Sequence, residues 1–514
     1  MCVSSFARSN GAAAGNGAAA AKETAAAQPA AAHAGVHETL KQAWARVFAY
    51  ATGDGRDRAE PVARFQQPED LHKIVGIGLD EQPTTQNLLE MVDNIFKYSI
   101  RSNHPCFFNQ MGMGGTEVIG ILGEAIAAAV NHAMYTYEMA PVTTLMEREL
   151  IAQLLKLAGF ESGDGMFNPG GSMSNAHAML LARHQASSLT KTEGLHGYSK
   201  QLVAFTSAES HYCFERSGLL LGLGTENVIK VPVDDCGIMI PSELERLLEE
   251  CVAAGKQPFF VNATAGSTVY GAVDPIRACH AAAKKVGAWF HVDGAWGSSA
   301  LMSERHRGIL DGVELADSLS WNFHKLGGMP QSCSVLLCKD EQIMRDALKL
   351  GGDCSYLYHE QPYDVSIDSG EKSLQCGRRP DSIKLWLTWK MLGTQKMGER
   401  IDKQMANKES FIGMLRNRSD VFEMVCEPGF CNVCFWYKPK GSDLAKEQVH
   451  ELTARIKQGM MLEGRCMVNY QPRGDRPNFF RMVFTNPEAE DQDLKLALDE
   501  IERIGDEVIK TLSC

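Results

Sequence analysis

The chain has no long apolar run: its hydrophobic stretches fall short of the roughly 20 residues a membrane helix needs, so the sequence reads as a soluble protein. It is also short of basic charge. Lysine and arginine total 51 against 63 acidic residues, a formal net charge of −12, and no basic run is long enough to grip phosphates, which argues against a nucleic-acid partner. Cysteine is present, 15 in 514 residues, but without the close spacing of a small disulfide-framed domain. Free thiols in a reducing compartment fit better and point to the cytoplasm. Cys426, Cys431 and Cys434 have the spacing of a plant-type iron–sulfur site, but Phe435-Trp-Tyr437 continues as a strand where such a site needs a loop and a fourth thiolate, so no metal is expected.

The first residues lack acids until Glu23 and lack a repeating apolar face. Residues 1–35, mostly alanine with glycine, asparagine and serine, read as a disordered tail. With Arg8 and Lys22 as its only basic charges, an organelle transit peptide is the alternative, and no leucine-rich core supports a secretory signal.

The length allows about three domains and a large core. Residues 36–104 read as a helical segment: Leu40, Ala43, Trp44 and Phe48 recur on one face, as do Leu88, Leu89, Val92 and Ile95. From Gln201 to Leu337 apolar strands alternate with helices such as Pro241 to Ala254 and Pro275 to Val286. That alternation signals an α/β domain, over 105–382, whose mostly parallel sheet carries helices on both faces. Residues 383–514 read as a smaller C-terminal α/β domain, with strands Asn432 to Lys438 and Phe479 to Thr485 and a final amphipathic helix.

Ligands in such sheets bind at the carboxyl ends of the strands, and the residues with chemistry fall there. Ser318 to Gly328 is an apolar run ending in Lys325 beside His324 and two glycines. A lysine held in a cleft and partly desolvated loses its proton readily and can form a Schiff base with a carbonyl. Asp293 stands at the end of the preceding strand, with room for a crossover that includes a helix over Ser303 to Leu310. Pyridoxal phosphate needs these two groups, a carboxylate at its ring nitrogen and a lysine at its aldehyde. His211, after a strand over Gln201 to Thr206, offers a flat ring to stack on it, and Thr264 follows a strand over Pro258 to Asn262.

Gly170-Gly-Ser-Met-Ser-Asn175 precedes a helical run over Ala176 to His184. Gly171, Ser172 and Ser174 would let backbone N–H groups at a helix start hold the phosphate. Arg481, alone among apolar residues on one strand, wants an anion, and its planar fork suits a carboxylate; an internal ion pair is the other reading. Gly351 to Gly370 lacks periodicity and reads as a loop carrying Tyr356.

In these segments the chain resembles the group II pyridoxal-phosphate amino-acid decarboxylases, in the branch of glutamate, aspartate and cysteine sulfinate enzymes. The matching pieces are Pro105–Gln110, Tyr135–Pro141, Pro169–Asn175, Ser210–Tyr212, His291–Gly297, Asn322–Lys325, Gln375–Arg378 and Asn478–Met482, in order over residues 40–510. The resemblance implies the type I, aspartate aminotransferase-like fold, a homodimer with sites at its twofold interface, and an N-terminal segment packed on the partner. It places Lys325, Asp293, His211, Ala295, Thr264 and His324 around the cofactor, with Ser318 and Asn322 near its phosphate. Arg481 would hold the substrate α-carboxylate, Gln110 would lie near the side-chain acid, and Tyr356 would return a proton to the α-carbon.

The substrate is less marked. Where the family's glutamate enzymes tend to carry serine and asparagine, and its cysteine sulfinate enzymes an aromatic residue and serine, this chain has Gly112 and Ala133. Gly170-Gly-Ser172 and Ala182-Arg-His-Gln185 look more like the sulfinate branch. The expectation is therefore α-decarboxylation of cysteine sulfinate or aspartate, with glutamate as the alternative, and an aminotransferase, an aldehyde synthase or a non-catalytic scaffold behind them. Three departures from the family stand near the site: Phe323 for proline, Gly294 for alanine and Cys213 for serine.

Overall fold

The structure is a computed structural model that describes residues 19–79, 84–350, 356–358 and 362–512, with side chains from residue 36 onward except 85 and 86. It forms two compact units, residues 1–54 with 66–99, and residues 55–65 with 100–514.

The first unit is helical. It comprises α1 (Ala19–Thr52), α2 (Pro68–Val75) and α3 (Thr85–Tyr98). Residues 19–35 of the tail expected to be disordered are helix continuous with the periodic segment after His37; alanine favours this, although Pro29 and Gly35 interrupt the alanine run. Residues 1–18 lie outside the described residues. Helix α3 opens on Thr84, whose hydroxyl accepts the Asn87 N–H while the Asn87 side chain accepts the Thr84 N–H. The α1–α3 contact is a stack of Tyr50 on Phe96, centroids 4.4 Å apart, beside an Arg46–Asp93 hydrogen bond of 2.8 Å. The apolar stripe read from the sequence is left exposed on α1, at 60% for Trp44 and 66% for Phe48.

In the second unit β1 (Phe107–Phe108) is followed by α4 (Val118–Val130), α5 (Pro141–Ala158), β2 (Asp164–Asn168), α6 (Gly171–Ala186) and the single turn α7 (Thr190–Glu193). Helix α5 starts with proline at its first position, where no N–H is needed, and stops at Gly159, whose φ of 75° a side chain resists. Then strand and helix alternate: β3 (Leu202–Ser207), α8 (Cys213–Leu220), β4 (Val228–Val231), α9 (Pro241–Ala253), β5 (Gln257–Thr264), α10 (Ile276–Lys285), β6 (Trp289–Asp293), β7 (Ser318–Asn322) and β8 (Ser334–Cys338).

These strands form one sheet in the order β2-β8-β7-β6-β5-β3-β4. Every neighbouring pair from β4 to β7 is parallel, and β8 runs against both β7 and β2. A parallel sheet is covered on both faces, which is why every residue of β3, β6 and β7 is buried. The register puts Thr264 beside Asp293 and Asp293 beside Ser320, so the carboxyl ends of β5, β6 and β7 open together.

The crossover from β6 to β7 differs from expectation. Instead of a helix over Ser303 to Leu310 it makes 3₁₀ turns at Gly297–Met302, Arg307–Leu310 and Val313–Leu315. The Ser303 hydroxyl accepts the N–H groups of Arg305 and His306, and Gly308 and Gly312 interrupt any longer helix.

The chain continues through α11 (Ile343–Leu348) to α12 (Ser382–Asn417), which is broken at Gly393, φ 75°. Next come β9 (Phe422–Met424), β10 (Asn432–Tyr437), α13 (Lys446–Glu463), β11 (Met467–Arg473), β12 (Arg476–Val483) and α14 (Asp491–Leu512). They build a second sheet, β1-β11-β12-β10-β9, to which β1 adds a strand from far upstream. Phe480 and Met482 on β12 are fully buried in the core. The mostly parallel sheet with its helices and the smaller C-terminal sheet are the architecture that the resemblance implies.

Candidate active site

A cavity of about 430 Å³ opens at the carboxyl ends of β5, β6 and β7 and the start of α6. Gly171, Ser172, His211, Thr264, Asp293, Ala295, Asn322, His324 and Lys325 all line it. Lys325 and Asp293 therefore face one space, from the same side of the sheet.

The Lys325 amine makes no hydrogen bond or ion pair among the described residues. Burial lowers its pKa from the ordinary lysine value, against the opposing pull of Asp293. The amine is thereby biased toward the neutral, nucleophilic form. The Asp293 carboxylate receives three hydrogen bonds, from Ala295 N–H and the Ser320 hydroxyl, both 3.1 Å to Oδ1, and from Asn175 Nδ2 at 2.9 Å to Oδ2. All three donors are neutral. A buried carboxylate held only by neutral donors still has its charge to match, and a protonated pyridine nitrogen in the cavity would match it.

The far wall is the start of α6. Gly170 precedes it with φ 135°, and a Cβ on Gly171 would stand 2.8 Å from Asn322 Nδ2 and 3.3 Å from the Ala295 Cβ. Asn322 cannot retreat, because its Oδ1 accepts the Ser334 hydroxyl at 2.6 Å. Glycine thus leaves backbone N–H groups of the first turn open to an anion.

Two expected phosphate ligands lie elsewhere. Ser174 is fully buried, its hydroxyl 2.9 Å from Ser334 Oγ and accepting from Asn168 at 3.3 Å; its place in the first turn of α6 aims it at β2 and β8, not the cavity. Ser318 stands at the amino end of β7, the opposite end from Asn322, with its hydroxyl taken by Trp289 and His291.

His211 Nδ1 accepts the Cys213 N–H at 3.2 Å, so the neutral ring carries its proton on Nε2; burial lowers its pKa, with Asp293 opposing. His324 lies with Nδ1 3.0 Å from the Cys333 backbone nitrogen, and burial pushes it down to about 4, so it is neutral. Thr264 is fixed through its N–H, which donates to Asp274 at 2.7 Å.

Arg481, on β12, donates to the carbonyls of Thr268 at 3.0 Å and Asn109 at 3.3 Å, and its Nε is buried without a partner among the described residues. It has no acidic partner there, so the internal ion pair does not form. Thr268 itself lines the cavity. Gln110, Gly112, Ala133 and Tyr356 do not line it; Gln110 is exposed and Tyr356 is 73% exposed. Of the loop around Tyr356, residues 351–355 and 359–361 lie outside the described residues. The sequence reading missed Asn175, Thr268, Trp296 and Gln331, which also line the cavity. Asn175 was within reach of it, since it ends the glycine-serine segment one helical turn from Gly171.

The cavity thus fits pyridoxal phosphate at three points: an unpaired lysine, a carboxylate with charge to spare, and a glycine-opened helix start. The family described as the pyridoxal-dependent decarboxylase conserved domain matches residues 68–438. The chain belongs to the pyridoxal-dependent decarboxylases. It is 40% identical over 481 residues to the cysteine sulfinic acid decarboxylase of Mus musculus, covering 92% of this chain and 97% of that one. It is 39% identical over 459 residues to an acidic amino acid decarboxylase of Bos taurus, covering 87% of each. The crystal structure of mouse CSAD superposes with a TM-score of 0.87 at 40% identity, over 91% of this chain and 98% of that one. The protein is a pyridoxal-phosphate-dependent carboxy-lyase of the acidic amino-acid branch, with the type I fold. No described helix is long and apolar enough to cross a membrane.

Proposed function

We propose that this decarboxylase removes the α-carboxylate of cysteine sulfinate, giving hypotaurine, with aspartate to β-alanine as the next substrate and glutamate to 4-aminobutanoate behind. The observation that carries the reading is Arg481: a buried guanidinium beside the cavity, held by two carbonyls, with no acid of its own. A substrate carboxylate supplies the missing charge. The relatives named for cysteine sulfinic acid and acidic amino acids support the side-chain class.

Pyridoxal phosphate, when bound, supplies an aldehyde for amines and a ring that withdraws electrons from the breaking bond. Lys325, whose amine is the nucleophile in the cavity, would hold the aldehyde. Asp293 keeps a proton on the ring nitrogen, and the start of α6 with Asn322 holds the phosphate. His211 and the small Ala295, which both line the cavity, would pack against the ring. Arg481 orients the carboxylate for departure.

Gln110 follows Asn109, whose carbonyl accepts from Arg481, and Gly112 stands by the His324 carbonyl, so both lie near this chain's own site, whereas Ala133 and Tyr356 do not line its cavity, which supports a homodimer in which a second copy contributes those two. The Tyr356 phenol then delivers a proton to the α-carbon. The described cysteines are all free, which supports a cytoplasmic location.

The test is carbon dioxide release from cysteine sulfinate, aspartate and glutamate side by side. Cysteine sulfinate is expected to lead in kcat/KM, by about tenfold or more over glutamate, a margin that one methylene can give. Lys325→Ala protein is expected to lose the visible absorption of a lysine-bound cofactor together with turnover. Glutamate in the lead, or keto-acid-dependent amino transfer without carbon dioxide, would overturn the assignment.

A further inference from the structure

Asp293 is held by more than the groups in the cavity wall. An ionised carboxylate only accepts, so the Asn175 atom 2.9 Å from Oδ2 is Nδ2. The second Nδ2 hydrogen points to Cys213 Sγ at 3.3 Å. That orientation turns Oδ1 to His291 Nε2 at 3.1 Å, so Nε2 bears the ring proton. His291 is fully buried, and burial pushes its pKa down to about 4, so it carries one proton and its Nδ1 is bare. The Ser318 hydroxyl, 2.8 Å away, donates to that nitrogen and accepts the indole N–H of Trp289 at 2.8 Å. Every donor from Trp289 to Asp293 meets an acceptor.

The opposite setting would have a neutral Asp293 donating to Asn175 Oδ1, the amide donating to Nε2, and Nδ1–H donating to Ser318. It leaves the Ser318 hydrogen without an acceptor, because Oγ has no hydrogen-bond partner among the described residues other than Trp289 and His291. Orphaning that buried hydrogen is costly. The chain of bonds therefore favours the ionised carboxylate.

We propose that Asn175 is a positioning residue for Asp293, its amide locked in the donating orientation by the hydrogen-bonded series Trp289, Ser318 and His291. The proposal rests on the reading that Asp293 faces the ring nitrogen of pyridoxal phosphate. It assigns buried Ser318 and His291, which do not themselves line the cavity, a part in holding the cofactor's protonation state.

Nitrogen NMR of the holoenzyme, carrying pyridoxal phosphate labelled at the ring nitrogen and ¹⁵N-histidine, tests both levels. In the unaltered protein the ring nitrogen is expected protonated and His291 in its Nε2–H form. Asn175→Ala is expected to leave the ring nitrogen unprotonated at neutral pH and to weaken pyridoxal phosphate by about tenfold to a hundredfold. His291→Phe should act alike, whereas His291→Gln, whose amide can still donate toward Asn175, should stay within about threefold of the parent. An unprotonated ring nitrogen in the parent would overturn the Asp293 reading and this proposal with it. A protonated one that Asn175→Ala leaves unchanged would overturn the proposal alone. Should these variants not fold, the parent still decides: an Nδ1–H form of His291 refutes it.

Discussion

Arg481 carries its role in geometry that a lysine could not reproduce. Two carbonyls, of Thr268 and Asn109, fix the plane of the guanidinium and leave Nε and the remaining N–H groups for a ligand. An ammonium has no plane to fix, so Arg481→Lys keeps the charge and loses the fork. The expected outcome is a KM for the amino-acid substrate raised by about tenfold to a hundredfold, with pyridoxal phosphate binding unchanged. Steady-state kinetics with cofactor titration checks it, and an unchanged KM would remove Arg481 from the α-carboxylate. That Arg481 would stand buried without an acidic partner was one of the two readings the sequence left open, because a single cation in an apolar strand has few structural uses. Ser174 and Ser318 were misplaced for the complementary reason. A serine is as content against a buried neighbour as against a phosphate, and spacing alone does not say toward which end of a strand or which side of a helix its hydroxyl points.

At the scale of elements, the end of β6 shows how one departure from the family is accommodated. A Cβ at Gly294 would lie 1.8 Å from Ser298 Oγ and 3.1 Å from the Ser320 carbonyl. Ser298 in turn is fixed by donating to that carbonyl at 3.3 Å. Gly294 and Ser298 are therefore a matched pair, and restoring alanine at 294 alone should displace the β6 end that carries Asp293. Gly294→Ala is expected to weaken pyridoxal phosphate by about tenfold or more, and Ser298→Ala, which removes the clashing oxygen, to recover most of that loss in the double variant. Equal affinities for Gly294→Ala and the parent would show that the turn yields freely. The sheet itself could be read in advance, since buried parallel strands are continuous apolar runs and their carboxyl ends are fixed by direction. The β6–β7 crossover could not, because Ser303 and the glycines at 308 and 312 compete with helix through local hydrogen bonds that an apolar period does not register. In the alanine-rich tail, a segment without an apolar face lacks a packing reason to order, yet alanine's propensity favours the extension of α1 back to Ala19.

For the molecule as a whole, the buried titratable groups set how its stability answers to pH. Burial pushes His177, His291 and His324 down to about 4 from an ordinary value of 6.5. The unfolded chain takes up their protons as pH falls through 6.5, whereas the folded chain refuses them until about 4, so between those values each costs stability, by up to about 1.4 kcal/mol per pH unit. Asp274 opposes them. Burial raises it to about 7 from 3.8, so the folded chain takes its proton first and gains stability as pH falls from 7 toward 3.8. One carboxyl offsets about one histidine, and two histidines' worth of loss remains. The holoenzyme is expected to unfold at markedly lower urea at about pH 5 than at about pH 7, with cofactor in excess at both. His177 is the cleanest contributor, because neither ring nitrogen has a hydrogen-bond partner among the described residues. His177→Phe removes its proton uptake without breaking a bond, so the difference between the two midpoints should narrow by about half. A midpoint that does not move with pH, or a variant as acid-sensitive as its parent, would show that these rings gain protons in the fold as easily as in the open chain.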